Sequence, residues 1–216
     1  DIYSFVHKPT DTDFMWRSPW GVRDQSKTVP PTGDPSSVWL DFYEGGWQTV
    51  VPHGGYSDTV YGADFGIHGD VSLIPWDAQI IEDTPEKVSV RFWAKSLRMP
   101  MSVSKTLTLV AGSPTLKVEE SVTNEGGEAL DMVWLEHIAL GPPVISGNSR
   151  LFLPDCKLLS HPESIDPNSM LEPDFKGDWP NMNAKDGSVI DFTHIPAKEE
   201  RSLDMAYMTE MSEGWY

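Results

Sequence analysis

Residues 87–124 constrain the fold more than any other part of the chain. Three segments there alternate apolar and polar residues: KVSVRFWAKS (Lys87–Ser96), MSVSKTLTLV (Met101–Val110) and TLKVEESVTN (Thr115–Asn124). Val88, Val90, Phe92 and Ala94 fall on one face of the first segment. Met101, Val103, Leu107 and Leu109 fall on one face of the second, interrupted by Lys105. Leu116, Val118 and Val122 fall on one face of the third. A period of two sustained over this length, rich in Val and Thr, predicts strands. The links RMP and AGSP, and NEGGE after the third segment, are turn chemistry too short for a crossover, so neighbouring strands run antiparallel.

Further strands are expected at Val38–Tyr43, Asp131–Leu140 and Arg150–Asp155, and no helix of useful length is expected. The polar, proline-broken stretch His161–Gly187 reads as a long loop, and Arg23–Ser37 as a second irregular stretch. No repeat or shift in composition divides the chain. The expectation is therefore a single all-β domain over residues 1–216, an antiparallel sandwich or barrel.

Composition narrows the partners. The 33 acidic residues outnumber the 16 basic ones and give a formal charge of −17, which repels phosphate, so no nucleic-acid partner is expected. An anionic membrane surface would repel the chain as well, and no apolar run reaches the length of a membrane span. The opening DIYSFVHKPTDTDF lacks the basic and apolar regions of a signal peptide. The single cysteine, Cys156, excludes an internal disulfide, fits a cytoplasmic setting and reads as buried filler rather than a nucleophile. Nine tryptophans are a high count, and indoles stack on the C–H faces of sugars, so a small carbohydrate is the favoured ligand class.

Two of the six histidines have suggestive settings. His68 lies in GIHGD, two residues before Asp70; on a strand the two would share a face. His137 lies in WLEHIALGPP, where alternation puts it with Leu135 and Ala139 and puts Glu136 with Trp134. A metal site of the cupin type would need His68, Asp70 and a distant histidine such as His53 or His137. No H-x-H, H-E-x-x-H or cysteine pair supports it, so no metal or cofactor is expected. No G-x-S-x-G, Walker loop or dinucleotide fingerprint is present. The glycine pair in YEGGWQTVVPHGG marks a bend where backbone approaches another strand or a ligand.

Taken in order, DFMWRSPWG, YEGGWQTVVPHGG, GIHGDVSLIPW, the strands ending in VTNEGG, and VWLEHIALGPP resemble the aldose 1-epimerase (galactose mutarotase) superfamily, in its divergent branch. The resemblance runs over most of residues 1–150. It implies an antiparallel β-supersandwich and a mutarotase-like isomerase acting at the anomeric carbon of an aldose or sugar derivative. It implies His137 as the catalytic acid and His68 as a sugar-binding histidine. Trp47 and Trp76 would offer stacking surfaces, and Gln48, Asp70 and His53 would surround the sugar. His53 and Gly54 stand where the family has an arginine, and the aromatic pair that follows the family's catalytic histidine is absent. The family's glutamate base comes from a later strand, so the chain is expected to be truncated at its C-terminus. A homodimer or a second chain would then complete the open sheet. The alternative with the same fold is a carbohydrate-binding protein without turnover, and the lesser alternative is a cupin-type metal enzyme using His68, Asp70 and a distant histidine.

Overall fold

The structure is a computed structural model describing residues 1–19, 21 and 35–212. Much of the irregular stretch Arg23–Ser37 lies outside the described residues. Two ribbons of two residues, β1 (Val6–His7) and β2 (Thr12–Asp13), pair near the start of the chain. There follow β3 (Trp47–Val50), β4 (Asp58–Val60), β5 (Ala63–Phe65), β6 (Asp77–Asp83), β7 (Lys87–Lys95), β8 (Met101–Val110), β9 (Leu116–Asn124) and β10 (Leu135–Ile138). The last strands are β11 (Lys157–Ser160), β12 (Lys176–Asp178), β13 (Asn181–Asn183), β14 (Val189–Asp191) and β15 (Ala206–Thr209). All pairings between these strands are antiparallel, and no described sheet closes into a barrel. The fold is all-β and sandwich-like.

Contacts group the chain into two compact units, where the sequence suggests one domain. The first comprises Asp1–Phe5 and Met15–Ala139, and the second Val6–Phe14 and Leu140–Tyr216. Each has its own apolar cluster. In the second unit Leu158, Leu171 and Met182 are buried around the sheet β12–β11–β15 and the hairpin β13–β14.

The first unit is built on the sheet β6–β7–β8–β9. Its register pairs Ala94 with Val103 and Val103 with Val122, so the apolar residues of the three alternating segments meet on one face as expected. Met101 and Val103 pack there against Val51, Phe65, Val71 and Met99. Burying a side chain of this size contributes roughly 1.5–3 kcal/mol. The same face meets the two-stranded sheet β3–β10 through Lys105 on β8 and Glu120 on β9, which contact Glu136 and Thr49 respectively. That contact between sheets is the sandwich-like element of the unit.

Several expectations need correction. Val38–Tyr43 is not a strand: Pro35–Phe42 forms the one α-helix, α1, among the described residues. Proline suits the first helical turn, and the Gly45–Gly46 pair beyond Tyr43 suits a chain reversal, so helix signals bracket a segment that its apolar residues alone make look extended. Of Asp131–Leu140 only Leu135–Ile138 is a strand. Arg150–Asp155 contributes only an isolated bridge from Arg150 to His194, and the strand comes later, at β11. His161–Gly187 carries β12 and β13 rather than running as one loop, because its prolines fall between short strands. The glycine pair of YEGGWQ faces backbone: a Cβ at Gly45 would sit 2.3 Å from the Trp16 carbonyl oxygen, and one at Gly46 would sit 2.6 Å from that of Ile2.

Candidate functional site

Strands β3 and β10 pair in the register His137 with Gln48 and Glu136 with Thr49. Residues directly opposite in an antiparallel pair share a face. One face therefore carries Gln48, Val50, Leu135 and His137, and the other carries Trp47, Thr49, Glu136 and Ile138. The alternation read from the sequence for Glu136 and His137 holds.

On the first face His137 meets His68. Their ring centroids are 5.3 Å apart, with planes inclined at 53°. His68 is not on a strand. It lies in a turn between β5 and the short 3₁₀ helix Val71–Leu73, at φ 62°, a conformation uncommon for residues other than glycine. Two bonds hold it there. Its backbone N–H donates to the Gly55 carbonyl at 3.1 Å, and its Nδ1 donates to the Gly54 carbonyl at 2.9 Å. A carbonyl only accepts, so Nδ1 carries the proton and Nε2 keeps its lone pair in the neutral ring. The glycine that follows lets the turn close on the protein itself: a Cβ at Gly69 would sit 2.8 Å from the Val51 carbonyl oxygen.

Aromatic residues wall the pair. The Trp39 ring, on α1, stands edge-on to His68 at 4.4 Å and to His137 at 5.3 Å, and stacks on Tyr43 at 4.4 Å. Trp16 stacks on Tyr43 at 5.8 Å. The Tyr43 hydroxyl is 3.5 Å from Nδ1 of His137. Gln48 is fully buried; its Oε1 accepts from the Trp39 indole at 3.1 Å and its Nε2 donates to the Asp1 carboxylate at 3.0 Å. It fixes the aromatic wall rather than facing a ligand.

Burial sets the charge state. Loss of solvent lowers the pKa of His68, which the nearby imidazoles of His137 and His53 lower further against the effect of the Gly54 carbonyl. Burial lowers His137 as well. Both rings are therefore neutral at pH 7. Burial raises the Tyr43 phenol, which stays protonated. Two neutral imidazoles beside a phenol can accept, hold and return a proton.

The other candidate residues lie elsewhere in the first unit. The Asp70 Oδ2 accepts from Ser96 Oγ at 3.0 Å and from the backbone N–H groups of Leu97 at 2.7 Å and Arg98 at 3.3 Å, which organises the turn before β8. Burial raises the pKa of this carboxyl against those donors. His68 and Asp70 thus form no strand-borne pair. Trp76 donates to the Val71 carbonyl at 3.0 Å and packs on the apolar cluster. The His53 ring donates from Nε2 to the Tyr56 carbonyl.

Trp47 is on the opposite face from His137, where its indole donates to Glu136. Glu136 also accepts from Trp134 Nε1 at 3.2 Å and pairs with Lys105 Nζ at 3.2 Å. Lys105 Nζ is 2.7 Å from Glu120, which accepts from Thr49 Oγ1 at 3.0 Å. Lys105 and Glu120 are both buried, at 7% and 8% side-chain exposure, so the ion pair is shielded from water. A small cavity of about 70 Å³ adjoins it, lined in part by Thr49, Trp76, Phe92 and Lys105.

Sequence reasoning missed Trp39 and Tyr43. Their spacing of four residues is the signal that could have found them, since it puts an aromatic just past the end of α1 on the same side as Trp39. Among the described residues no group of three or more His, Cys, Asp and Glu side chains is placed to hold a metal ion. Among the same residues no helix is long and apolar enough to cross a membrane. No curated protein and no solved structure matches the chain. A family model described as a domain of unknown function, DUF4432, matches residues 1–187, a span that includes both imidazoles, their aromatic wall and the sheets beneath them. The chain belongs to the DUF4432 family.

Proposed function

We propose that the chain is a mutarotase-like sugar isomerase acting at the anomeric carbon of an aldose or sugar derivative, with the His68–His137 pair as its reactive centre. The observation that carries the reading is the approach of these two imidazoles to 5.3 Å from separate elements of the first unit. Mutarotation removes the proton of the anomeric hydroxyl, protonates the ring oxygen and reverses both steps after rotation about C1–C2. A histidine kept neutral by burial suits a group that must take a proton and give it back. In this reading His137 moves the proton, the His68 Nε2 lone pair accepts a hydrogen bond from a sugar hydroxyl, and the Tyr43 phenol serves His137 from Nδ1. The single cysteine accords with a cytoplasmic protein.

Carbohydrate binding without turnover is the second reading, favoured by the Trp39–Tyr43–Trp16 stack beside the pair. Anomer interconversion, followed by polarimetry or NMR on a panel of aldoses and 6-substituted sugars, separates the two. Acceleration that falls by at least roughly a hundredfold in His137→Ala, the scale of general acid–base catalysis, is the result expected. Saturable sugar binding without acceleration establishes the second reading. Absence of both overturns the assignment to sugars.

A further inference from the structure

Two imidazoles that meet with their Nδ1 atoms turned towards the protein resemble one half of a coordination sphere. We propose that His68 and His137 form a two-imidazole clamp for a divalent transition-metal ion of the Cu²⁺, Ni²⁺ or Zn²⁺ class. The inference rests on the placement of the pair and not on the sugar reading.

Distance is the first argument. A metal–nitrogen bond of about 2.0–2.1 Å puts each ring centroid roughly 3.2 Å from the ion, and a tetrahedral angle then separates two centroids by roughly 5.2 Å. The observed separation is 5.3 Å. The spacing of the two rings thus matches that of imidazoles sharing one ion.

The surroundings are the second argument. A ligating histidine ordinarily donates its other ring N–H to a carbonyl, carboxylate or water, which fixes the ring and the tautomer. His68 does this towards Gly54 at 2.9 Å, and the Tyr43 hydroxyl stands at Nδ1 of His137. The buried Trp39 walls one side and keeps that side dry. His53 does not join the pair, because its Nε2 is turned to Tyr56, and Asp70 is held by the turn at 96–98. With two protein ligands the remaining positions go to water. Affinity then follows the order of ligand-field strength, Cu²⁺ above Ni²⁺ and Zn²⁺.

The test uses the metals alone, on chelator-stripped protein at pH 7.5 and in the absence of sugar. Calorimetric titration with Cu²⁺ is expected to show one site of micromolar affinity. Affinity should weaken at least tenfold in His68→Gln and in His137→Gln and stay unchanged in His161→Gln, whose ring lies in the second unit. Electron paramagnetic resonance of the Cu²⁺ form should show two equatorial nitrogens. A readout on the unaltered protein guards against variants that fail to fold: Zn²⁺ should shift the imidazole signals of two of the six histidines and leave four in place. Affinity unchanged by either substitution, a Zn²⁺ response spread over the other histidines, or no binding would overturn the clamp. Mutarotation is assayed separately with chelator present, so either proposal can fail while the other stands.

Discussion

The two faces of β3–β10 differ although they are built from the same eight residues. On one face Trp47, Thr49 and Glu136 meet Lys105, Glu120 and Trp134, and the charges close on one another. On the other face Gln48 and His137 meet His68, Trp39 and Tyr43, and among the described residues neither imidazole Nε2 finds a hydrogen-bond partner. Buried polar groups are ordinarily bonded. A face whose groups satisfy one another holds two sheets in register. A face that leaves lone pairs open and only half-buried is where a ligand gains most. The contrast leaves one side of the ladder closed on itself and the other with open lone pairs, one residue apart.

Removing the lysine tests the closed face most severely. Lys105→Met strips the positive charge from between Glu120 and Glu136 and leaves a buried carboxylate without its partner. Breaking a buried ion pair from one side costs about 3–5 kcal/mol, a large part of the stability of an ordinary domain. Urea unfolding should show that loss, and the added substitution Glu120→Gln should recover part of it by removing the stranded charge. An equal loss in the single and double variants would mean that packing, not charge, holds the sheets at this point.

Asp70 sharpens the comparison from the open side, because it anchors the turn two residues beyond His68. Asp70→Ala leaves Ser96 Oγ and the Leu97 N–H without their acceptor and the Arg98 N–H with Ser96 Oγ alone, which costs about 1–3 kcal/mol. Asp70→Asn keeps an acceptor oxygen and should cost less. Denaturant midpoints order the variants, and NMR of the His68 imidazole reports whether the turn still presents it. Should His68 keep its environment in the alanine variant, the Gly54 and Gly55 carbonyls alone would suffice to place it.

How much of this was legible beforehand follows from the range of the interactions. The strands at 87–124 were readable because alternation and turn chemistry are local, and Lys105 announced itself as a break in an apolar face. Its meaning was hidden, since Glu120 opposes it only once the register of β8 and β9 is known. His68 and His137 are visible as residues, but their convergence depends on a turn at positive φ and on the pairing of β3 with β10 across 84 intervening residues. Trp47 and Trp76 suggest sugar stacking by their chemistry as indoles. The fold used both to satisfy carboxylate or carbonyl acceptors and fill space. Trp39 looks strand-borne in the sequence because a short apolar run carries no period of its own, and only its brackets of proline and glycine distinguish a helix there.

Acid is the gentlest probe, and it reads the open face directly. Burial holds the pKa values of His68 and His137 below that of free histidine, about 6.5, which each recovers on unfolding. Between the folded and unfolded values the unfolded chain binds more protons than the folded one, so stability rises with pH across that window. Below pH 6.5 the chain should therefore lose stability progressively. The full contribution of the neutral pair is present above that pH. The loss is expected to be smaller than for either substitution above, because both rings are only half-buried and water still reaches the charged form. Denaturant titrations between pH 5 and 8 measure the slope. Replacing both rings, as His68→Gln with His137→Gln, should flatten it. If the double variant kept the full slope, the acid response would belong to other groups, and the open face would be as closed to protons as the one behind it.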